Sequence, residues 1–229
     1  MNESPPQKIL RRIDPAFIPR WTVYKEMLIS MMTPDAVWID VGCGDNSMVH
    51  ELKHRCRSAV GVDVLEPDNP EDFIKADITQ LPFPDNHADI MTLRFVVEHL
   101  SSPDDLKEVL RVLKPHGRLL FITTNLLCPF VGISRIIPYR LKKALIRNIF
   151  KVNESDIFPA FHRLNTPGAV RHAIPGFQVE SIRYVSDLNS VRTAVFVLYL
   201  LWHIVTMPSL FHSLRANILA VYSKKSVSS

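Results

Sequence analysis

An apolar run at Val37–Val41 breaks at Gly42-Cys43-Gly44, and a helical pattern follows with Met48, Val49, Leu52 and Cys56 on one face. Few folds accept that order. A buried strand, a glycine turn and a helix in succession open the α/β folds that hold nucleotides. The turn lets backbone approach a ligand, and the helix start favours anions. A dinucleotide fingerprint needs a further glycine at position 47, where this chain has Ser47. A purely structural turn is the other reading, so its meaning depends on the rest of the chain.

Upstream, Trp21, Tyr24, Leu28 and Met31 form a stripe that predicts a helix over 20–32, stopped by Pro34. Downstream, a helix is expected at 47–56, then strands at 59–63, 73–76 and 88–93. The last two are separated by Pro82-Phe83-Pro84-Asp85-Asn86, which is turn chemistry. Ser102-Pro103-Asp104-Asp105 reads as a helix cap, a first-turn proline and capping acids. Leu106, Val109, Leu110 and Leu113 supply that helix's apolar face, and Lys114-Pro115-His116-Gly117 ends it. Strands at 118–123, 177–185 and 218–223 complete the pattern. Nearly continuous apolar strands alternating with helices imply a parallel sheet covered on both faces.

The 229 residues suit one substantial α/β domain with an appendage. Three cysteines, Cys43, Cys56 and Cys128, have no CxxC spacing. That points away from zinc and a disulfide framework and toward a reducing, cytoplasmic compartment. The polar start, Asn2 to Gln7, has no apolar signal core, so secretion is not expected. Residues 1–125 hold 14 Lys/Arg and 19 Asp/Glu, a balance of −5, whereas residues 126–229 hold 13 and 4, a balance of +9. The basic half could meet nucleic acid or an anionic membrane, or could be a solvated face.

Two acids give the glycine turn its chemistry. Asp63 ends the second strand, 21 residues after Gly42. A carboxylate there can accept hydrogen bonds from both hydroxyls of a ribose. Asp77 ends the third strand, where it can accept from an adenine amino group. Either acid could instead cap a loop.

Five blocks in order carry a resemblance. They are Ile39-Asp40-Val41-Gly42-Cys43-Gly44, Gly61-Val62-Asp63, 76–85 (Ala-Asp-Ile-Thr-Gln-Leu-Pro-Phe-Pro-Asp), Val97-Glu98-His99-Leu100 and 112–119 (Val-Leu-Lys-Pro-His-Gly-Arg-Leu). Over roughly 35–125 the chain resembles class I S-adenosylmethionine-dependent methyltransferases, in particular the branch of the ubiquinone and menaquinone biosynthesis enzymes. The resemblance implies a Rossmann-like α/β fold with a seven-stranded mixed sheet, helices on both faces and a C-terminal cap. It implies S-adenosyl-L-methionine as cofactor and S-adenosyl-L-homocysteine as product. Asp40 and the Gly42, Cys43 and Gly44 backbone would hold the methionine portion. Asp63 would bind the ribose with Val64 beside the adenine, Asp77 and Ile78 would bind the adenine, and Arg94 would lie between cofactor and acceptor. The family usually has a third glycine at position 46, where this chain has Asn46, the residue that best tolerates a left-handed backbone after glycine.

Methyl transfer from a sulfonium needs chiefly alignment. An oxygen acceptor also needs deprotonation, for which histidine is suited. His99, just after the fourth strand, is the first candidate base, with a helix-capping role as the alternative. His162 is the second, in a segment resembling one that caps the acceptor pocket in relatives, or else in a surface turn before a helix at 167–174. No metal site is expected.

Residues 133–151 are cationic and amphipathic, fitting either an interfacial membrane helix or an ordinary surface helix. Residues 194–205 are almost wholly apolar but, as a helix, reach only about 18 Å against about 30 Å of hydrocarbon. They are expected to be a buried helix or a membrane contact, the latter extending over 194–211. The whole chain is expected to be a single methyltransferase domain: a helical segment (1–34), a cofactor core (35–125) and an acceptor cap (126–176 and 186–217). Methyl transfer to a small or lipid-like acceptor, at oxygen, is the leading expectation, in the cytoplasm with membrane association left open. A non-catalytic protein that keeps the fold is one alternative. A nucleic-acid methyltransferase is another, although the chain has no Asn-Pro-Pro-Tyr-like motif and no RNA-binding module.

Overall fold

The computed structural model describes residues 5–137, 160–172, 174–188 and 193–225. At its centre is a seven-stranded sheet. Its strands are β1 (Val37–Val41), β2 (Ser58–Asp63), β3 (Phe73–Lys75), β4 (Ala88–Arg94), β5 (Leu113–Thr124), β6 (Phe177–Val185) and β7 (Asn217–Lys224). The spatial order is β3-β2-β1-β4-β5-β7-β6. β1 to β5 run parallel, and β7 lies antiparallel between β5 and β6. Chain order reverses at β1 and β4, so a crevice opens beyond their carboxyl ends, where ligands of open α/β sheets sit.

Alternation along the strands builds two cores. Ile39, Val41, Met91, Leu93, Leu119 and Phe121 pack on one face of the sheet. Trp38, Ile90, Leu120 and Ile122 pack on the other, against Tyr24, Met27 and Leu28 of helix α2 (Arg20–Met31). Burial on both faces is why β1 reads as an apolar run interrupted only by Asp40.

The helices differ more from sequence expectation. Helix α1 (Pro5–Ile13) forms in the proline-bearing start; prolines are tolerated in a first helical turn, whose N–H groups lack partners anyway. Helix α3 (Ser47–Leu52) ends early, and Lys53–Arg55 tighten into a 3₁₀ turn. The cap at Ser102 forms as its residues dictate. Ser102 accepts from the Asp104 amide, and Asp105 accepts from the Ser101 and Ser102 amides. A 3₁₀ turn (Pro103–Leu106) then leads into α4 (Lys107–Val112). β5 begins at Leu113 rather than Arg118, because Lys114 is drawn onto Asp89 of β4 and the register shift between Ala88 and Ile90 absorbs the extra residues. Helix α5 (Pro129–Ile136) follows β5. Helix α6 (Pro167–Arg171) is shorter than the predicted 167–174, and helix α7 (Thr193–Val205) occupies the long connection from β6 to β7.

Candidate functional site

The turn after β1 is held by its own backbone. The Gly42 amide donates to the Val62 carbonyl at 2.7 Å, tying the turn to β2. Gly42 (φ 70°) and Gly44 (φ 60°) are left-handed. A Cβ on Gly42 would meet a Val96 methyl at 2.1 Å, whereas a Cβ on Gly44 would meet nothing within 4 Å. Gly42 is thus required for packing, and Gly44 faces open space.

Asn46 is left-handed (φ 59°) and fully buried. Its amide donates to the carbonyls of Glu71 (2.9 Å) and Asp72 (3.2 Å), pinning the connection between β2 and β3. Room for this side chain exists because residue 61 is glycine: a Cβ there would lie 2.0 Å from the Asn46 Oδ1 and 2.8 Å from the Cys43 Sγ. The substitution that departs from the family pattern therefore points its side chain inward, away from the crevice.

Asp40 is fully buried, and both its oxygens are taken. Thr92 Oγ1 donates to one at 2.6 Å, and Arg94 Nη2 pairs with the other at 2.8 Å. The same Nη2 donates to the Cys43 carbonyl at 2.7 Å, clamping the glycine turn to β4. Burial alone would lower the Arg94 pKa, but the Asp40 charge and hydrogen bond together with Tyr24 and Cys43 more than offset it, so the pKa lies above its ordinary value. Arg94 Nε is buried with no hydrogen-bond partner. Burial, then Asp40 and Asp63, push the Cys43 thiol up to about 12, so it is no nucleophile at neutral pH. Sequence reasoning missed the support behind Asp40: Trp38 donates to Thr92 at 2.9 Å.

A cavity of about 530 Å³ opens beside this clamp, within the size range of small-molecule sites. Gly42, Asp63, Val64, Asp77, Ile78, Arg94 and His99 all line it, so seven expected site residues converge there. Asp63 accepts from the Gly44 amide (2.9 Å) and the Leu65 amide (3.0 Å), which fixes its carboxylate while leaving lone pairs over. Asp77 does cap its loop, accepting from the amide and hydroxyl of Thr79 with one oxygen. Asp40 and Cys43 lie behind the cavity wall instead of on it.

Phe95, also on the wall, was not anticipated. It is left-handed (φ 57°), rare for a bulky residue. Trp21 packs against it edge-on at 5.8 Å, and the Arg20 guanidinium lies 5.2 Å from its ring. The acceptor-side segment is stitched in beside it. Phe161 and His162 donate backbone amides to the Glu98 carbonyl at 2.8 and 3.0 Å. Glu98 accepts from Thr123 Oγ1 (2.8 Å), which accepts from Asn165 (2.7 Å). His162 is thereby brought to the turn that carries His99, in a left-handed conformation (φ 54°). Most of the cationic stretch at 133–151 lies outside the described residues.

The strand order, with one antiparallel strand inserted between β5 and β6, and a crevice lined by Gly42, Asp63 and Asp77 define the class: a class I methyltransferase fold. Residues 39–121 match the family model of a methyltransferase domain. It is 46% identical over 123 residues to the ubiquinone/menaquinone biosynthesis C-methyltransferase UbiE of Pseudomonas fluorescens, covering 53% of this chain and 41% of that protein. It is 49% identical over 51 residues to the UbiE of Azotobacter vinelandii, covering 22% and 20%. The chain thus spans a fifth to two-fifths of the length of these relatives. Among solved structures, an S-adenosylmethionine-dependent methyltransferase from Methanosarcina mazei superposes with a TM-score of 0.55 at 14% identity, covering 88% of this chain and 98% of that one. A Mesorhizobium loti S-adenosylmethionine-dependent methyltransferase gives 0.52 at 14%, covering 87% and 96%. At such identities the superpositions speak for the fold. Among the described residues, no helix is long and apolar enough to cross a membrane.

Proposed function

We propose that this chain transfers a methyl group from S-adenosyl-L-methionine to a small or lipid-like acceptor. The observation that carries the reading is the convergence of Gly42, Asp63, Asp77 and Arg94 on one cavity at the carboxyl ends of β1, β2 and β4. The cofactor supplies a methyl group already activated on a sulfonium. The open space over Gly44 and the unpartnered Nε of Arg94 suit a polar amino-acid moiety. Asp63, anchored by two amides, would accept the ribose hydroxyls. Val64 and Ile78 would flank the adenine, with the free oxygen of Asp77 accepting its amino group. Asp40 acts through Arg94: it is a positioning residue that sets the guanidinium and, through it, the glycine turn.

The chain's remaining work is alignment and proton removal. His99 lines the cavity and would hold a proton at a ring nitrogen; His162, tied to Glu98, would close the acceptor side. An oxygen acceptor is the first reading, since its hydroxyl must lose a proton. A carbon acceptor is the second, supported by the UbiE relatives, which are C-methyltransferases. Incubation with methyl-labelled cofactor and a lipid extract tests the proposal. Label should enter an extractable product, and Asp63→Ala should reduce incorporation about 100-fold, in keeping with two lost charge-assisted hydrogen bonds. Unchanged incorporation in Asp63→Ala would overturn the assignment, and the product's labelled atom decides between oxygen and carbon.

A further inference from the structure

We propose that α1, α7 and the 3₁₀ turn after α7 form a surface that docks onto an anionic lipid bilayer. The connection that carries α7 leaves β6 at Val185 and enters β7 at Asn217, and these two residues pair with each other. Asn217 also pairs with Thr124, at the carboxyl end of β5. The connection therefore springs from the same end of the sheet as the glycine turn.

One face of α7 is used by the fold. Phe196 and Leu200 bury against Leu10 of α1. His203, one turn on, donates from Nε2 to Asp14 at 3.1 Å and is hydrogen-bonded through Nδ1 to the Ser186 hydroxyl at 2.8 Å. The other face is equally apolar and, among the described residues, has no such use. Leu198, Leu201 and Val205 are 50 to 56% exposed, and Leu210 in the following 3₁₀ turn (Ser209–Leu214) is 80% exposed. A lone exposed leucine is ordinary, but an uninterrupted apolar helix face is not. α7 holds no Asp, Glu, Lys or Arg.

The charge on α1, the helix packed on α7 through Leu10, selects the occupant. α1 adds exposed Ile9 and Ile13 together with Lys8, Arg11 and Arg12, and it has no acid. Apolar side chains edged by cations match acyl chains beneath anionic headgroups. A second copy is disfavoured, because a two-fold interface would bring the same cations together. Thirteen residues of helix reach about 20 Å, short of about 30 Å of hydrocarbon, so α7 lies along the interface and does not cross it. Such docking would put the crevice end of the sheet toward the membrane. It suits a lipid-like acceptor, yet its test reads vesicle binding and not methyl transfer, so the two proposals can fail separately.

The test is co-sedimentation of the full chain with phosphatidylcholine vesicles, with and without phosphatidylglycerol. The chain should pellet with the anionic vesicles, and less so as salt rises. Leu198→Asp with Leu201→Asp should weaken binding about tenfold or more, with the thermal midpoint unchanged. Lys8→Glu with Arg12→Glu should remove the preference for anionic lipid. Absence of pelleting at low salt would overturn the proposal, as would wild-type binding by the leucine double variant. So would light scattering that shows a dimer which that variant dissociates.

Discussion

Around β1, polar chemistry is turned inward: Asp40 is buried against Arg94 and Thr92, and Asn46 is folded beneath the β2–β3 connection. The connection between β6 and β7 does the reverse, with leucines in solvent and its one buried histidine tied to Asp14 and Ser186. Both regions lie at the same end of the sheet. The first spends its side chains on fixing a rigid turn, as a small-molecule site requires. The second leaves apolar side chains exposed, as a surface that meets something outside the chain requires.

The contrast can be broken by mutation. Arg94→Ala should have the largest effect, since it leaves the fully buried Asp40 carboxylate with Thr92 as its remaining side-chain partner. Removing one partner of such a pair destabilises by about 3–5 kcal/mol, readable by urea unfolding. Adding Asp40→Asn should recover part of the loss, and failure to do so would mean the pair is not the cause. Phe196→Ala, on the buried face of α7, should destabilise by about 3 kcal/mol. Leu201→Asp, on the opposite face, should stay within about 0.5 kcal/mol of wild type. Equal losses at the two positions would mean that both faces of α7 are packed, which removes the basis for a docking surface.

The smallest expected effect is a pH dependence. Burial lowers the pKa of His203 in spite of Asp14. The folded chain then refuses a proton that the unfolded chain accepts near pH 6.5. Stability is therefore held above that pH and declines as pH falls below it, until the folded-state pKa is passed. His203→Gln should flatten this part of the profile in thermal unfolding, and a parallel decline in the variant would assign it to other groups.

What could be read in the sequence follows the same line. β1 spans the expected residues because burial on both faces writes an apolar run into the chain. The acids at 63 and 77 were legible because one ends β2 and the other closely follows β3, both at the crevice. The Asp40–Arg94 pair was not, since 54 residues separate its members and only the parallel pairing of β1 with β4 unites them. Nor was the direction of the Asn46 side chain, which depends on Gly61 one strand away. Phe95 gave no signal, because an aromatic after a strand says nothing of its φ. Helix α1 was hidden by prolines that resemble a loop and in fact occupy a first turn.

Calorimetric titration with S-adenosyl-L-methionine tests the central claim most directly, on the wild-type chain, Gly42→Val and Asn46→Gly. A valine at 42 must enter the space of the Val96 methyl in a left-handed backbone, whereas glycine at 46 removes a side chain that faces away from the crevice. Wild type and Asn46→Gly should bind and Gly42→Val should not. Absence of binding by the wild type, or undiminished binding by a folded Gly42→Val, would contradict the account.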